Sequence, residues 1–160
     1  MSGFRRGTRL GIDVGKARVG VARCDPDGML AVPVETVPRS DASVARIAEI
    51  AGEWEPIEFV VGLPVNMRGE DTPSTQDARD FAAALAQRTG IPVRMVDERL
   101  STVTAHAALR SSGRNQKNSR SIVDQVAAVV LLQHAVDVEK STGRAAGDVL
   151  HLDEEPPSDD

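Results

Sequence analysis

The chain has no tyrosine, one tryptophan and three phenylalanines, so base or ring stacking on aromatic side chains is a poor basis for recognition. Its single cysteine, Cys24, excludes an intramolecular disulfide and a thiolate metal cage. Placed within an apolar stretch, Cys24 reads as a small core residue. A reducing cytoplasm is therefore the expected compartment. No apolar run approaches the roughly 20 residues needed to cross a bilayer. Leu10–Val14 is too short to be a secretory segment and carries Asp13. The sequence thus predicts no membrane association. His106, His134 and His151 stand in no metal-ligand spacing and read as structural or surface residues.

What is present fits one soluble domain: 160 residues, 41% hydrophobic and 27% charged. The net charge is −5, but Asp153, Glu154, Glu155, Asp159 and Asp160 all lie in the final stretch, without a Lys or Arg among them. Without those five charges the body of the chain is neutral. Basic residues cluster at Arg5, Arg6 and Arg9, and again at Arg110, Arg114, Lys117 and Arg120. Such clusters are usually solvated surface, so the composition permits a nucleic-acid partner without demanding one.

Residues 1–8 read as a flexible arm. Over Arg9–Val14, Leu10, Ile12 and Val14 alternate with Gly11 and Asp13, the period of a strand. A second strand over 19–24 and a third over 30–37 flank the turn cluster Asp25-Pro26-Asp27-Gly28. Short connections make these three an antiparallel meander. Asp41 or Ser43 is placed to cap a helix through Trp54, which Pro56 ends. Residues 57–63 form an almost unbroken apolar strand, the mark of burial on both faces. A loop over 64–71 leads to a helix over 72–88, closed by Thr89-Gly90, and then to a strand over 92–96. Ser101 caps a further helix to Arg110, a polar loop covers 111–119, and a last helix spans 119–139. Residues 140–160 are small, charged and Pro-rich, and read as a disordered acidic tail. The expected fold is α/β: a mixed five-stranded sheet flanked by helices, in one domain over 9–139.

Four segments carry candidate chemistry. In Gly11-Ile12-Asp13-Val14-Gly15, a carboxylate at a strand end precedes a glycine turn and can present oxygens to a hard cation. A lone Asp-x-Gly would be a turn residue, but Asp13 lies within the apolar strand itself. The pattern is shared by RNase H-like nucleases and by actin-like ATPases. Asp97-Glu98-Arg99-Leu100-Ser101-Thr102 closes the fifth strand, and alternation sends Asp97 and Glu98 to opposite faces. Taken alone it reads as an acidic helix start with Ser101 as cap. Asp124 interrupts the apolar face of the last helix between Val123 and Val126, where a lone buried charge costs several kcal/mol. Arg120, one turn earlier, is placed to pair with Asp124 or to hold a phosphate. Val61-Gly62-Leu63-Pro64-Val65-Asn66, with Gly69, follows a buried strand, where sites form in such sheets. It reads equally as a strand terminator, with Asn66 a backbone or phosphate contact.

Together and in this order, GIDVGKARVGVA, VGLPVNMRG, VDERLSTVTA and SIVDQVAAVVLLQ resemble the YqgF/RuvX family. That family is described both as Holliday-junction resolvases and as nucleases maturing the 5′ end of pre-16S rRNA. The resemblance runs from about Arg9 to Asp137 and implies an RNase H-like fold. It implies three acids at Asp13, Glu98 and Asp124, holding two Mg²⁺ or Mn²⁺ ions. Related resolvases carry a further acid one turn after the last-helix Asp; here that position is Ala127. Arg99, Arg114, Lys117 and Arg120, with Asn66, are the expected nucleic-acid contacts, acting through phosphates and substrate shape.

The leading expectation is a metal-dependent endonuclease of pre-16S rRNA, acting as monomer or homodimer, with the ribosomal small subunit as one setting for its RNA partner. The alternative is a resolvase of branched DNA, which needs a symmetric dimer to cut two strands. A nucleic-acid binder with weak catalysis ranks lower, since all three acids are present. An actin-like ATPase needs a second related half, for which 160 residues without a repeat leave no room.

Overall fold

A computed structural model describes residues 4–98 and 116–150, with the side chains of the second stretch described from Gln125 onward. The strands are β1 (Arg9–Val14), β2 (Arg18–Cys24), β3 (Ala31–Pro38), β4 (Glu58–Leu63), β5 (Val93–Asp97) and β6 (Asp148–Val149). The helices are α1 (Ser43–Trp54), α2 (Pro73–Thr89) and α3 (Gln116–Thr142). They build one sheet in the order β3-β2-β1-β4-β5-β6. β1, β2 and β3 form the expected antiparallel meander, while β1, β4 and β5 run parallel. Their carboxyl ends therefore share one rim of the sheet.

Strand alternation divides the core into two layers. Leu10, Ile12, Phe59, Val61, Val93 and Met95 pack with α1 and α2 on one face. Val60, Val96, Ala22 and Cys24 pack with Ala128, Leu131 and Leu132 of α3 on the other. Cys24 is buried, as expected of a small core residue. β4 contributes to both layers, which explains its continuous apolar run. Among the described residues no helix is long and apolar enough to cross a membrane.

The helix ends are set by local chemistry. Thr72 and Thr75 form a reciprocal capping box at α2, with Pro73 in its first turn and Gly90 left-handed at its end. At α1 neither expected cap operates, because Ala42 occupies the cap position. The Ser43 hydroxyl accepts from the Ser40 amide at 2.8 Å and donates to the Pro38 carbonyl at 2.7 Å, fixing the strand-to-helix turn.

Four further expectations are corrected. Residues 140–150, expected as tail, are ordered elements instead: α3 continues to Thr142 and the chain returns as β6. β6 adds a sixth strand antiparallel to β5, and the Leu150 amide bonds the Val93 carbonyl at 2.8 Å. A two-residue strand carries no periodicity to read. The polar loop expected over 111–119 gives way to helix from Gln116. The amino-terminal arm is tied down from Phe4 onward. Arg5 bonds Glu58 at 3.0 Å and Glu139 at 2.8 Å, and Arg9 bonds Glu139 at 3.1 Å. Phe4 lies against the Arg9 guanidinium at 4.5 Å. Arg9, Glu58 and Glu139 are all buried, and Arg5 reaches the two carboxylates from the surface. The helix expected over 101–110 and residues 151–160 lie outside the described residues.

Candidate active site

Asp13 is the penultimate residue of β1, half-buried at the shared rim. Since Leu10 and Ile12 enter the α1/α2 layer, Gly11 and Asp13 face α3. The glycine at 11 is required there: a Cβ would stand 2.8 Å from the Leu132 Cβ and 2.9 Å from the Ala128 carbonyl oxygen. The helix thus rests directly on the β1 backbone.

Glu98 immediately follows β5, and its amide bonds the Leu63 carbonyl at 3.1 Å, extending the pairing with β4. Val60 and Val61 enter opposite core layers, so Gly62 faces α3. A Cβ on Gly62 would lie 3.0 Å from Oε2 of Glu98. The Glu98 carboxylate therefore covers Gly62 on the α3 side. The parallel register pairs Ile12 with Val61. One step onward Asp13 neighbours Gly62, about 4.8 Å away across the sheet. The bare backbone of Gly62 separates the two acids, and both face the same helix. Asp97, paired with Leu63, alternates to the other side, as the sequence reading required.

α3 runs antiparallel to β1. Arg9 meets Glu139, and Gly11 meets Leu132 and Ala128. Position 124 is one helical turn before Ala128, on the side toward Asp13. The side chain of Asp124 lies outside the described residues, as do those of Lys117 and Arg120. Arg99 and Arg114 lie wholly outside them. Among the described residues no group of three metal-type ligands occurs.

Asn66 has a clear local task. Its Oδ1 accepts from the amides of Arg68 and Glu70, both at 2.9 Å, and its Nδ2 donates to Glu70 at 3.0 Å. Val65 and Asp71 pair as an isolated bridge, and the Thr75 hydroxyl holds the Pro64 carbonyl. Asn66 shapes the β4–α2 loop from within.

Two features escaped the sequence reading. Gly62 as a spacer has one faint signal, a glycine inside an otherwise apolar strand. The other is Arg39, after β3. Its amide bonds the Ala17 carbonyl at 2.9 Å and its Nη1 the Gly15 carbonyl at 2.8 Å. It thereby spans the turn that follows Asp13. Asp77 of α2 grips the same guanidinium at 2.9 and 2.7 Å, and the Phe81 ring lies 5.0 Å from it. The hydrogen bond from Arg39 holds the Asp77 carboxyl below its ordinary range. These residues, with Lys16 and Ser74, line an open cleft of about 620 Å³ on the α1/α2 side of the rim.

A family model described as RuvX: Holliday junction resolvase matches residues 7–138. A protein of Clavibacter michiganensis subsp. michiganensis named "Putative pre-16S rRNA nuclease" is 54% identical over 147 residues, 90% of this chain and 91% of that protein. A Streptomyces coelicolor protein of the same name is 51% identical over 152 residues, covering 93% and 91%. Among solved structures, Thermus thermophilus RuvC in complex with a Holliday junction substrate aligns with a TM-score of 0.55. That alignment covers 89% of this chain and 99% of RuvC at 19% identity, a likeness of fold alone. The fold is thus RNase H-like, and with the family model spanning most of its length the chain belongs to the RuvX family.

Proposed function

We propose that this chain is a metal-dependent endonuclease that processes the 5′ end of pre-16S rRNA in the cytoplasm. One observation carries the chemistry: the carboxylates of Asp13 and Glu98 come from neighbouring regions of one sheet face, parted only by Gly62. The names of the relatives carry the substrate.

The donor set fits a hard divalent ion. Carboxylate oxygens without a thiol suit Mg²⁺ or Mn²⁺ better than Zn²⁺. Asp13, Glu98 and Asp124 would hold two such ions. When bound, they supply an activated water and stabilise the leaving oxygen of a phosphodiester. The protein's own contribution is position. β1 and β5 are each hydrogen-bonded to β4 in one sheet, and the helix that bears Asp124 is pressed against Gly11. Arg99, Arg114, Lys117 and Arg120 are proposed to neutralise substrate phosphates, and Asn66 to shape a neighbouring loop as well as contact the strand.

A second reading, resolution of branched DNA, is favoured by the description of the matched family. It requires two copies related by a two-fold axis, one for each strand. The two readings separate when purified protein is incubated with a precursor rRNA fragment and, separately, a four-way junction. Each incubation is run with Mg²⁺, Mn²⁺ or EDTA. Cleavage of the RNA only with a divalent ion is expected; cleavage of the junction alone would overturn the RNA assignment.

A further inference from the structure

The β4–α2 loop displays the most exposed large apolar side chain among the described residues. Met67 is 93% exposed, and Arg68 beside it is exposed as well. Exposure of a thioether on a floppy loop would mean little. This loop is held by the Asn66 bonds described above, by a 2.9 Å bond from the Gly69 amide to the Asn66 carbonyl, and by the Val65–Asp71 bridge. Gly69 takes the left-handed conformation (φ 81°) that reverses the chain immediately after the two displayed residues. The side chains of Met67 and Arg68 are therefore presented from a fixed frame.

Position gives the frame a purpose. The loop leaves the carboxyl end of β4, the strand whose Gly62 lies under Glu98 and beside Asp13. Met67 is four residues beyond Leu63, hence within about 14 Å of the strand end. The loop is anchored to α2 through Thr75 and Arg79, so a nucleic-acid strand that crosses the two carboxylates and runs on past the end of β4 toward α2 would reach this tip. Such a strand offers two surfaces: phosphates, which match Arg68, and the flat apolar faces of unpaired bases, which match a flexible, polarizable thioether. The chain has few aromatic residues for the second task.

Resting on the nuclease reading, we propose that Met67 and Arg68 form a substrate-engaging tip: Met67 packs on an unpaired base next to the cut, and Arg68 binds an adjacent phosphate. The partner is a single-stranded stretch of RNA, and of the two tip residues only Arg68 engages duplex.

Fluorescence anisotropy tests this in EDTA, so that cleavage does not interfere. The probes are a labelled single-stranded RNA spanning the precursor junction and a duplex of the same sequence. Wild type, Met67→Ser and Arg68→Ala are compared across a salt series. Met67→Ser is expected to weaken single-strand binding about fivefold, leaving duplex binding and the salt slope unchanged. Arg68→Ala is expected to weaken both and to flatten the slope by about one phosphate contact. Unaltered single-strand binding by Met67→Ser would overturn the proposal, as would equal loss on strand and duplex. So would variants that bind free RNA normally but fail to sediment with small ribosomal subunits, which would make the tip a protein contact. Wild-type cleavage is measured separately: its absence would sink the nuclease reading while the binding comparison kept its meaning.

Discussion

The Glu98 carboxylate lies so close over Gly62 that one added carbon would meet its Oε2 at 3.0 Å. Gly62→Ala tests this relationship directly. The obstructing atom is the far end of a flexible side chain, so the fold should accommodate the methyl with less than about 1 kcal/mol of change. The Glu98 carboxylate, however, must give way by a few tenths of an ångström from the position proposed to hold a metal ion. Cleavage should fall by about tenfold or more while the thermal midpoint stays nearly constant. Full activity in Gly62→Ala would remove Glu98 from the site.

Gly11→Ala should behave in the opposite way. Its Cβ would meet the backbone carbonyl of Ala128 at 2.9 Å and the Leu132 Cβ at 2.8 Å, neither of which can rotate aside. α3 has to shift, at a cost of about 1–3 kcal/mol. Urea denaturation should show that loss, together with reduced cleavage, because the same helix carries Asp124.

Replacing each expected acid with its amide, Asp13→Asn, Glu98→Gln or Asp124→Asn, should abolish cleavage and leave the circular dichroism spectrum unchanged. Calorimetric titration with Mn²⁺ should show weaker binding in all three. Undiminished cleavage by Asp124→Asn would reduce the site to two carboxylates.

Glu139 governs acid stability at the other end of the sheet. Burial works to raise its pKa, but hydrogen bonds from the Arg5 side chain and amide, with the charge of Arg9, hold it down at about 2. Because the folded value lies below the ordinary 4.5, the ionised form favours the native state at neutral pH. That contribution is complete above about pH 5 and is lost as pH falls toward 2. Glu139→Gln should cost about 3 kcal/mol at pH 7, leaving Arg9 buried with one partner fewer. In denaturant melts the gap from wild type should narrow by pH 2.5. A constant gap would contradict the ion-pair account.

The layers of the fold were legible because each follows from local periodicity. Leu10, Ile12 and Val14 alternate, α2 is bracketed by Thr72-Pro73 and Gly90, and β4 is apolar throughout. What escaped depends on partners distant in sequence. Arg5 and Arg9 look like surface charge until Glu58 and Glu139 arrive from β4 and α3. β6 is a strand only because β5 offers an edge to it. Asp13 and Glu98 were visible as acids at strand ends, yet their placement on one face on either side of β4 follows from the β1–β4–β5 register. Ser43 looked like a cap because its neighbours permit one; the Pro38 carbonyl claims its hydroxyl instead.

The return of the chain as β6 has a consequence for assembly. It covers the flank of β5 with a strand of only two residues, Asp148 and Val149, too short to template a further one. At the opposite margin β3 carries Pro33 and Pro38, each lacking an amide hydrogen for a neighbouring ladder. Both margins of the sheet are thereby blunted against another copy. Two-fold pairing of the kind that cutting both strands of a junction requires is therefore expected to use helices and loops in preference to a continued sheet.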